Sequence, residues 1–462
     1  MNQNIVLVWA WGTWMSGVTW MLFDLWFENL VAINDAESQL TNNLKNKWIN
    51  MIIWHWNYKI QDQDIVIYSE SAVNSLEVQT AKNRPNTIKW PNFCMNYFQF
   101  LGEISKYFIT CGIAGTNGKS TTTAMSIYLA KDHLPNFWLW ILWALVPDLD
   151  WQSYYINKNI KSDLKNIFDS IFSTKIPLNY ENLKKYVFIL ESCEYKRHFL
   201  HLDLDYAVIT NIKLDHTDYY RDEADYLSAF SELVSRTKGK VFMLDGNIEK
   251  WKDGKMMVDY SKIENIQVEN IKFDYVFGDM QVIDGNFAVN LINTIWWKWN
   301  LNSELKNFKG LWRRMEMIGK NRNWALIYSD YWHIAESIWL WFNALKLKYP
   351  DKKLFVIFQP HQISRVVQWR NEFKQELPKY DKVVIYDIYA ARESVDLVKK
   401  LWIDWVENLQ DLWNKFASEC KWKYIDDFDV LRKEIDEVDQ NFVIVIYTAG
   451  DLDYKLRTII SN

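Results

Sequence analysis

Short apolar, β-branched runs recur along the chain, each followed by a polar turn and then a stretch of helical spacing. Ile5–Val8, Ile65–Tyr68, Phe108–Ile113, Val187–Leu190, Tyr206–Thr210, Val241–Leu244, Leu354–Phe358, Val383–Tyr386 and Phe442–Tyr447 read as buried strands. The alternation is that of βαβ units, so the predicted fold class is α/β with mostly parallel sheets. In such sheets ligands bind at the carboxyl ends of strands. Asp245 to Gly285 breaks the pattern and reads as irregular strands and turns. Breaks near Gly102–Lys106 and Gly319–Asn323, where Lys320-Asn321-Arg322-Asn323 reads as a linker, predict three domains at 1–104, 105–320 and 321–462. No internal repeat or low-complexity segment interrupts them.

A length of 462 residues fits about three domains of ~150 residues each. A net charge of −5 gives no electrostatic argument for a nucleic-acid partner. The four cysteines (Cys94, Cys111, Cys193, Cys420) form no CxxC pair, which points to reduced thiols rather than disulfides or zinc. Met1 to Leu7 lacks a basic n-region and reads as the start of a first strand rather than a signal peptide. The longest apolar run, Phe137 to Val146, falls short of the ~20 residues of a membrane span. The expectation is a cytoplasmic protein without membrane insertion.

One compositional fact changes the picture. The chain has 27 Trp and only 14 Gly, whereas average usage of ~7% predicts roughly 32 Gly. The segment Val8-Trp9-Ala10-Trp11-Gly12-Thr13-Trp14-Met15-Ser16-Gly17 becomes a glycine-rich nucleotide loop after a strand if Gly stands at 9, 11 and 14. Glycine accepts φ > 0 and lets a phosphate approach the backbone, and an indole does neither cheaply. Many of these Trp codons are therefore read as UGA in a bacterial lineage that decodes UGA as glycine. Trp138, Trp140 and Trp143 are suspect too, and Trp296, Trp297 and Trp299 are left unassigned.

The strongest motif as written is Gly112-Ile113-Ala114-Gly115-Thr116-Asn117-Gly118-Lys119-Ser120-Thr121-Thr122-Thr123, after a strand and opening an apolar helix from Ala124 to Ala130. Backbone N–H groups of such a loop, with the helix N-terminus behind them, cradle triphosphate oxygens. Lys119 would reach the β- and γ-phosphates and Ser120 would hold Mg²⁺. Ile113 stands where the general pattern has Gly.

Gly115 to Thr121 resembles the ATP loop of the Mur ligases, the amide-forming enzymes of peptidoglycan synthesis, and of the related folylpolyglutamate synthases. Glu191-Ser192-Cys193-Glu194-Tyr195-Lys196-Arg197-His198-Phe199-Leu200 resembles the acidic motif of the branch that adds the first amino acid. Thr210-Asn211-Ile212 with Asp215-His216, Phe358 to Arg365, Asp387 to Glu393 and Ala449-Gly450-Asp451 follow in that family's order. Gln362, Ile334 and Val289 depart from it, standing where Arg, His and His are usual. Glycine at Trp9, Trp11, Trp14, Trp54 and Trp332 improves the match at three separate places.

The resemblance implies a three-domain architecture: a Rossmann-like N-terminal domain, a P-loop ATPase-like central domain and a Rossmann-like C-terminal domain that closes on the substrates. It implies an ATP-dependent carboxylate–amine ligase, with ATP and Mg²⁺, that joins L-alanine to UDP-N-acetylmuramate through an acyl phosphate, as a monomer or homodimer. Gly115, Thr116, Asn117, Gly118, Lys119, Ser120, Thr121, Asn290 and Arg314 would bind ATP, with Asn293 beside Asn290 on the adenine helix. Ser120 and Glu191 would hold one Mg²⁺ and Glu191 with His216 a second, while Glu194 reads equally well as a direct participant or a solvated carboxylate. Trp9, Trp11, Gly12, Trp14, Met15, Ser16, Asp35 and His55 would line the UDP-sugar site. Asp330, His333, His361 and Arg365 would face the amino acid, and the catalytic set is Lys119, Glu191, His216, His333, His361 and Arg365. Other readings are a recycling ligase that adds a tripeptide to the same sugar nucleotide, a non-catalytic remnant that binds the UDP-sugar, and a dehydrogenase suggested by the first glycine loop alone.

Overall fold

The computed structural model describes residues 4–9, 13–34, 49–53, 57–84, 94–133, 137–172, 184, 186–217, 219–253, 257–296, 301–331, 335–360, 369–389 and 409–460. Its chain divides into two compact units. One comprises Met1–Asp274 and Met280–Lys309, the other Tyr275–Asp279 and Gly310–Asn462.

The first unit carries two sheets. Strands β1 (Ile5–Val8), β2 (Leu30–Asn34), β3 (Asn50–Ile53), β4 (Ile65–Tyr68) and β5 (Cys94–Asn96) pair in the order β3-β2-β1-β4-β5, all parallel. The second sheet is built from β6 (Ile109–Ala114), β7 (Phe137–Val146), β8 (Gln152–Ile156), β9 (Val187–Glu191), β10 (Tyr206–Ile209), β11 (Val241–Met243) and β12 (Ile263–Asn265). Their order is β12-β11-β10-β6-β9-β7-β8, with only the β7–β8 pair antiparallel. The nine strands read from the sequence are found within about a residue, because short β-branched apolar runs bounded by turns suit strands covered on both faces.

The two sheets share one continuous core, in which Phe27, just past the helix Thr13–Asp24, and Phe100, of the helix Tyr97–Ser105, pack on Phe168 and Phe172 of the helix Lys161–Phe172. Phe137–Val146 is the strand next to the sheet's antiparallel edge, and Trp140 within it is buried against the ring of Tyr155. The stretch after Asp245 differs from expectation. Asp245–Asp253 is a helix, held by Ile248 and the fully buried Trp251, three residues apart on its inner face. Its Gly, Asn and Asp residues argue locally for turns, and apolar burial overrides them. A second helix, Asp279–Ile295, begins within the last residues of that stretch and runs beyond it.

The second unit carries a six-stranded sheet. It comprises β13 (Glu316–Lys320), β14 (Leu326–Asp330), β15 (Lys353–Gln359), β16 (Lys382–Tyr386), β17 (Lys423–Ile425) and β18 (Phe442–Thr448), in the order β13-β14-β18-β15-β16-β17. Only β13 runs antiparallel, paired with β14. The Lys320–Asn323 segment is therefore the turn of a hairpin and not a linker. The Asn321 side chain pins it, donating to Ile435 O at 2.6 Å and Val438 O at 2.7 Å. Among the described residues no helix is long and apolar enough to cross a membrane.

Candidate functional site

The site assembles where β6, β9 and β10 end side by side. Ile113, the residue that departs from the general phosphate-loop pattern, is still inside β6, paired with Glu191 of β9 and Val208 of β10. The loop proper therefore begins at Gly115. There φ is +129°, and a Cβ would fall on Thr210 Oγ1, so only glycine fits. Gly118, at φ +85°, is equally constrained, since a Cβ would meet Asp284 Oδ1 at 2.5 Å. The end of β10 shapes the loop from below. Asn117 N–H donates to Asn211 Oδ1 at 3.1 Å, and Asn117 O accepts from Thr210 Oγ1 at 2.5 Å and Asn211 Nδ2 at 2.8 Å. Thr116 Oγ1 lies 2.7 Å from Lys213 O and 2.8 Å from Tyr226 Oη.

The helix Lys119–His133 starts at the loop's last residues, so its unpaired N–H groups and positive dipole end face the loop. Lys119 folds back over the loop, with Nζ 2.5 Å from Gly115 O, 3.1 Å from Thr116 O and 3.0 Å from Glu194 Oε2. Glu194 is buried and Lys119 is largely covered. Burial works against the Lys119 charge, but the adjacent Glu194 carboxylate more than offsets it and raises the ammonium's pKa. Burial likewise pushes Glu194 up, and the Lys119 charge with the His216 ring beside it brings it below the usual carboxylate range. The pair is held ionised, a lysine charge stored at the place where phosphate charge would arrive.

Two clusters of hard ligands flank this pair. Ser120 Oγ donates to Glu191 Oε1 at 3.1 Å. Glu194, Asp215 and His216 each offer one ligand atom, all within 4.8 Å of one another, and His216 Nε2 lies 3.6 Å from Glu194 Oε1. Serine hydroxyl and carboxylate oxygens fit Mg²⁺. Ser120 thus stands beside Glu191, and His216 beside Glu194 and Asp215, where Glu191 and His216 were expected to share the second ion. Glu194, read as an optional contributor, is central to the site.

The segment that carries Glu194 is sharply turned. Lys196 and Arg197 take left-handed φ of 50° and 58°, and each is tied down. Lys196 Nζ donates to Glu70 Oε1 at 2.7 Å, just past β4, and Arg197 Nη2 donates to Asp225 Oδ1 and Ser228 Oγ, both at 2.7 Å. Cys193 is buried, and burial pushes its thiol well up, so it has no nucleophilic character.

On the helix Asp279–Ile295, Asn290 is half-buried and its Nδ2 donates to Asn286 O at 2.8 Å. Asp284 of the same helix is a residue that motif reading missed. Buried, it accepts from Thr122 Oγ1 at 3.1 Å and underlies Gly118. An acid inside an apolar helix was the available signal.

At the first sheet, Trp9 closes β1, its N–H donating to Ile33 O at 2.9 Å. Ser16 is buried, and Met15, expected at the UDP-sugar, is instead buried in the core on the inner face of the helix Thr13–Asp24. Trp11, Gly12, Asp35, His55, His333, His361 and Arg365 lie outside the described residues, as does the Trp14 side chain.

In the second unit, Asp330 at the end of β14 is fully buried and accepts Met315 N–H at 2.6 Å. It fastens the loop at Met315 to the end of this strand. Arg314, expected at the ATP phosphates, lies in this unit with its guanidinium 5.7 Å from the centre of the Tyr331 ring. Its neighbour Arg313 is the buried one, donating to Thr448 O and, at 3.1 Å, to Gly450 O.

Residues 113–292 match the family model described as the Mur ligase middle domain. The UDP-N-acetylmuramate–L-alanine ligase of Clostridium botulinum (strain Langeland) is 30% identical over 431 residues, covering 85% of this chain and 84% of that protein. The enzyme of the same name from Lactobacillus acidophilus is 27% identical over 436 residues, covering 87% and 90%. Among solved structures, the UDP-N-acetylmuramate–alanine ligase of Thermotoga maritima superposes with a TM-score of 0.71 at 19% identity, over 99% of this chain and 98% of that one. A murein peptide ligase from Psychrobacter arcticus gives 0.59 at 17% identity, over 99% of each. These two share the fold.

Proposed function

We infer the activity of this chain from its family: it belongs to the Mur ligases, and it is an ATP-dependent ligase that joins L-alanine to UDP-N-acetylmuramate in peptidoglycan precursor synthesis. The observation that carries the chemistry is the Lys119–Glu194 pair, with Ser120–Glu191 and Asp215–His216 beside it. The reaction takes place in the cytoplasm, where ATP is supplied.

The lactyl carboxylate oxygen attacks the γ-phosphorus of ATP and the β–γ bridge breaks, leaving ADP and an acyl phosphate. The alanine amine then attacks the acyl carbon, gives up its proton, and phosphate departs as the amide forms. Phosphoryl transfer needs positioning and charge neutralisation more than covalent help. Lys119 leaves Glu194 for the β- and γ-phosphates, and the N–H groups of Gly118, Lys119 and Ser120 line their oxygens. Ser120 and Glu191 would hold one Mg²⁺, and Glu194, Asp215 and His216 a second. Bound there, the ions neutralise phosphate charge. Asn290 serves the adenine, Arg314 the phosphates, and His333, His361 and Arg365 the amino acid. An arginine suits the alanine carboxylate through a bidentate contact.

The test is phosphate release from ATP with UDP-N-acetylmuramate and either L-alanine or a tripeptide. Release that depends on L-alanine supports the reading. Release that depends only on the tripeptide makes this the recycling ligase, and none with either makes it a non-catalytic binder.

A further inference from the structure

The backbone separates two kinds of tryptophan. Trp9, Trp26, Trp151 and Trp324 take left-handed conformations, with φ of 61°, 60°, 57° and 66°. For a bulky L-residue this region is an outlier, whereas glycine enters it freely. The hydrogen bonds around three of them identify motifs built on glycine.

Trp26 follows the helix Thr13–Asp24. Its N–H donates to Phe23 O at 2.9 Å, and Phe27 N–H donates to Leu22 O at 3.2 Å. That pair of bonds is the Schellman motif, and Trp26 holds the left-handed position that is usually glycine. Trp324 closes the β13–β14 hairpin: its N–H donates to Asn321 O at 3.1 Å while Asn321 N–H donates to Ala325 O at 3.0 Å. This is a three-residue loop, a tight turn followed by one left-handed residue, and glycine is the residue that loop selects. Trp151 follows Asp150, itself at φ 55°, in the connection between antiparallel β7 and β8, and donates to Val146 O at 3.1 Å. Two consecutive left-handed residues in a hairpin connection favour Asp-Gly. Trp9 directly follows β1, its N–H donating to Ile33 O at 2.9 Å.

No packing explains the indoles at the last three positions, which are 64%, 50% and 67% exposed for Trp26, Trp151 and Trp324. Lys161 lies 5.6 Å over the ring of Trp26 and Lys320 4.8 Å over that of Trp324. Such exposed cation–π contacts are weaker than the cost of a left-handed L-residue. Trp251 is the opposite case. It is helical and fully buried, and its Nε1–H donates to Leu227 O at 3.3 Å.

We infer that the working protein carries glycine at positions 9, 26, 151 and 324 and tryptophan at 251. Tryptophan at the four is the standard-code reading of a UGA codon that the protein's own ribosomes read as glycine. The assignment stands on backbone geometry and does not depend on which ligand the protein binds.

Two measurements test it. The triple variant Trp26→Gly/Trp151→Gly/Trp324→Gly melts higher than the parent chain, by about 2–4 °C per site if each relieves about the strain of one left-handed residue. Trp251→Gly melts lower or fails to fold, because it empties a filled core position. An unchanged or lower midpoint for the triple variant overturns the inference. In protein purified from its native host, peptide masses show glycine at the four positions and tryptophan at 251. Tryptophan at any of the four overturns the assignment there, and glycine at 251 overturns the distinction between the two kinds.

Discussion

Lys196 Nζ donates to Glu70 Oε1 at 2.7 Å, joining the end of β4 in the first sheet to the turned segment that carries Glu194. His198 Nε2 stands 3.4 Å from the other carboxylate oxygen. Burial pushes Glu70 up, but the hydrogen bonds from His198 and Lys196 outweigh it and hold the carboxyl at about 2 against an ordinary 4.5. A carboxyl with a depressed folded pKa stabilises the protein above its unfolded value and loses that contribution as the pH falls from 4.5 towards 2. Glu70→Gln should therefore lower stability near neutrality by about 1–3 kcal/mol. The gap between variant and parent should narrow in thermal melts as the pH drops from about 5 to about 3. A gap that does not change with pH would show that Glu70 acts by packing alone.

Lys119→Met removes the mobile charge. Phosphate release should fall by two to three orders of magnitude, roughly the effect of deleting one preorganised transition-state contact. Without ligands the variant should also be less stable by about 3–5 kcal/mol, because Glu194 is left buried without its partner. Mg²⁺ should raise the variant's melting midpoint more than the parent's, since the ion replaces the missing positive charge beside Glu194. Equal Mg²⁺ responses would remove Glu194 from the ion's ligands.

Gly115→Ala tests the loop shape alone. The added methyl falls on Thr210 Oγ1 at a backbone angle that alanine rarely adopts. ATP binding measured by calorimetry should weaken at least tenfold while far-ultraviolet circular dichroism stays unchanged. Binding at parental strength would mean that the loop rearranges on meeting ATP.

Arg313 and Arg314 should separate cleanly. Arg313→Ala strands the carbonyls of Thr448 and Gly450 and should lower stability by about 2–3 kcal/mol. Arg314→Ala should leave the melting midpoint nearly unchanged and raise the KM for ATP. The reverse pattern in paired melts and kinetics would exchange the two roles.

What the sequence by itself determined is local. Apolar runs dictated nine of the strands, and the spacing of Gly115, Gly118, Lys119 and Ser120 dictated the phosphate loop, because each depends on neighbours a few residues away. The excess of tryptophan over glycine was equally plain in composition, but only backbone angles say which positions require glycine. Tertiary structure alone decided the partners. Ser120 meets Glu191 across 71 residues, Glu70 meets Lys196 across 126 and Thr122 meets Asp284 across 162. It also turned Asp330 inward to Met315 and made Asp245–Asp253 a helix. An isolated carboxylate in a sequence carries no sign of whether it will face solvent, a backbone N–H or a lysine. That choice is made by which chain segment covers it, since a buried charge persists only where a partner is folded against it.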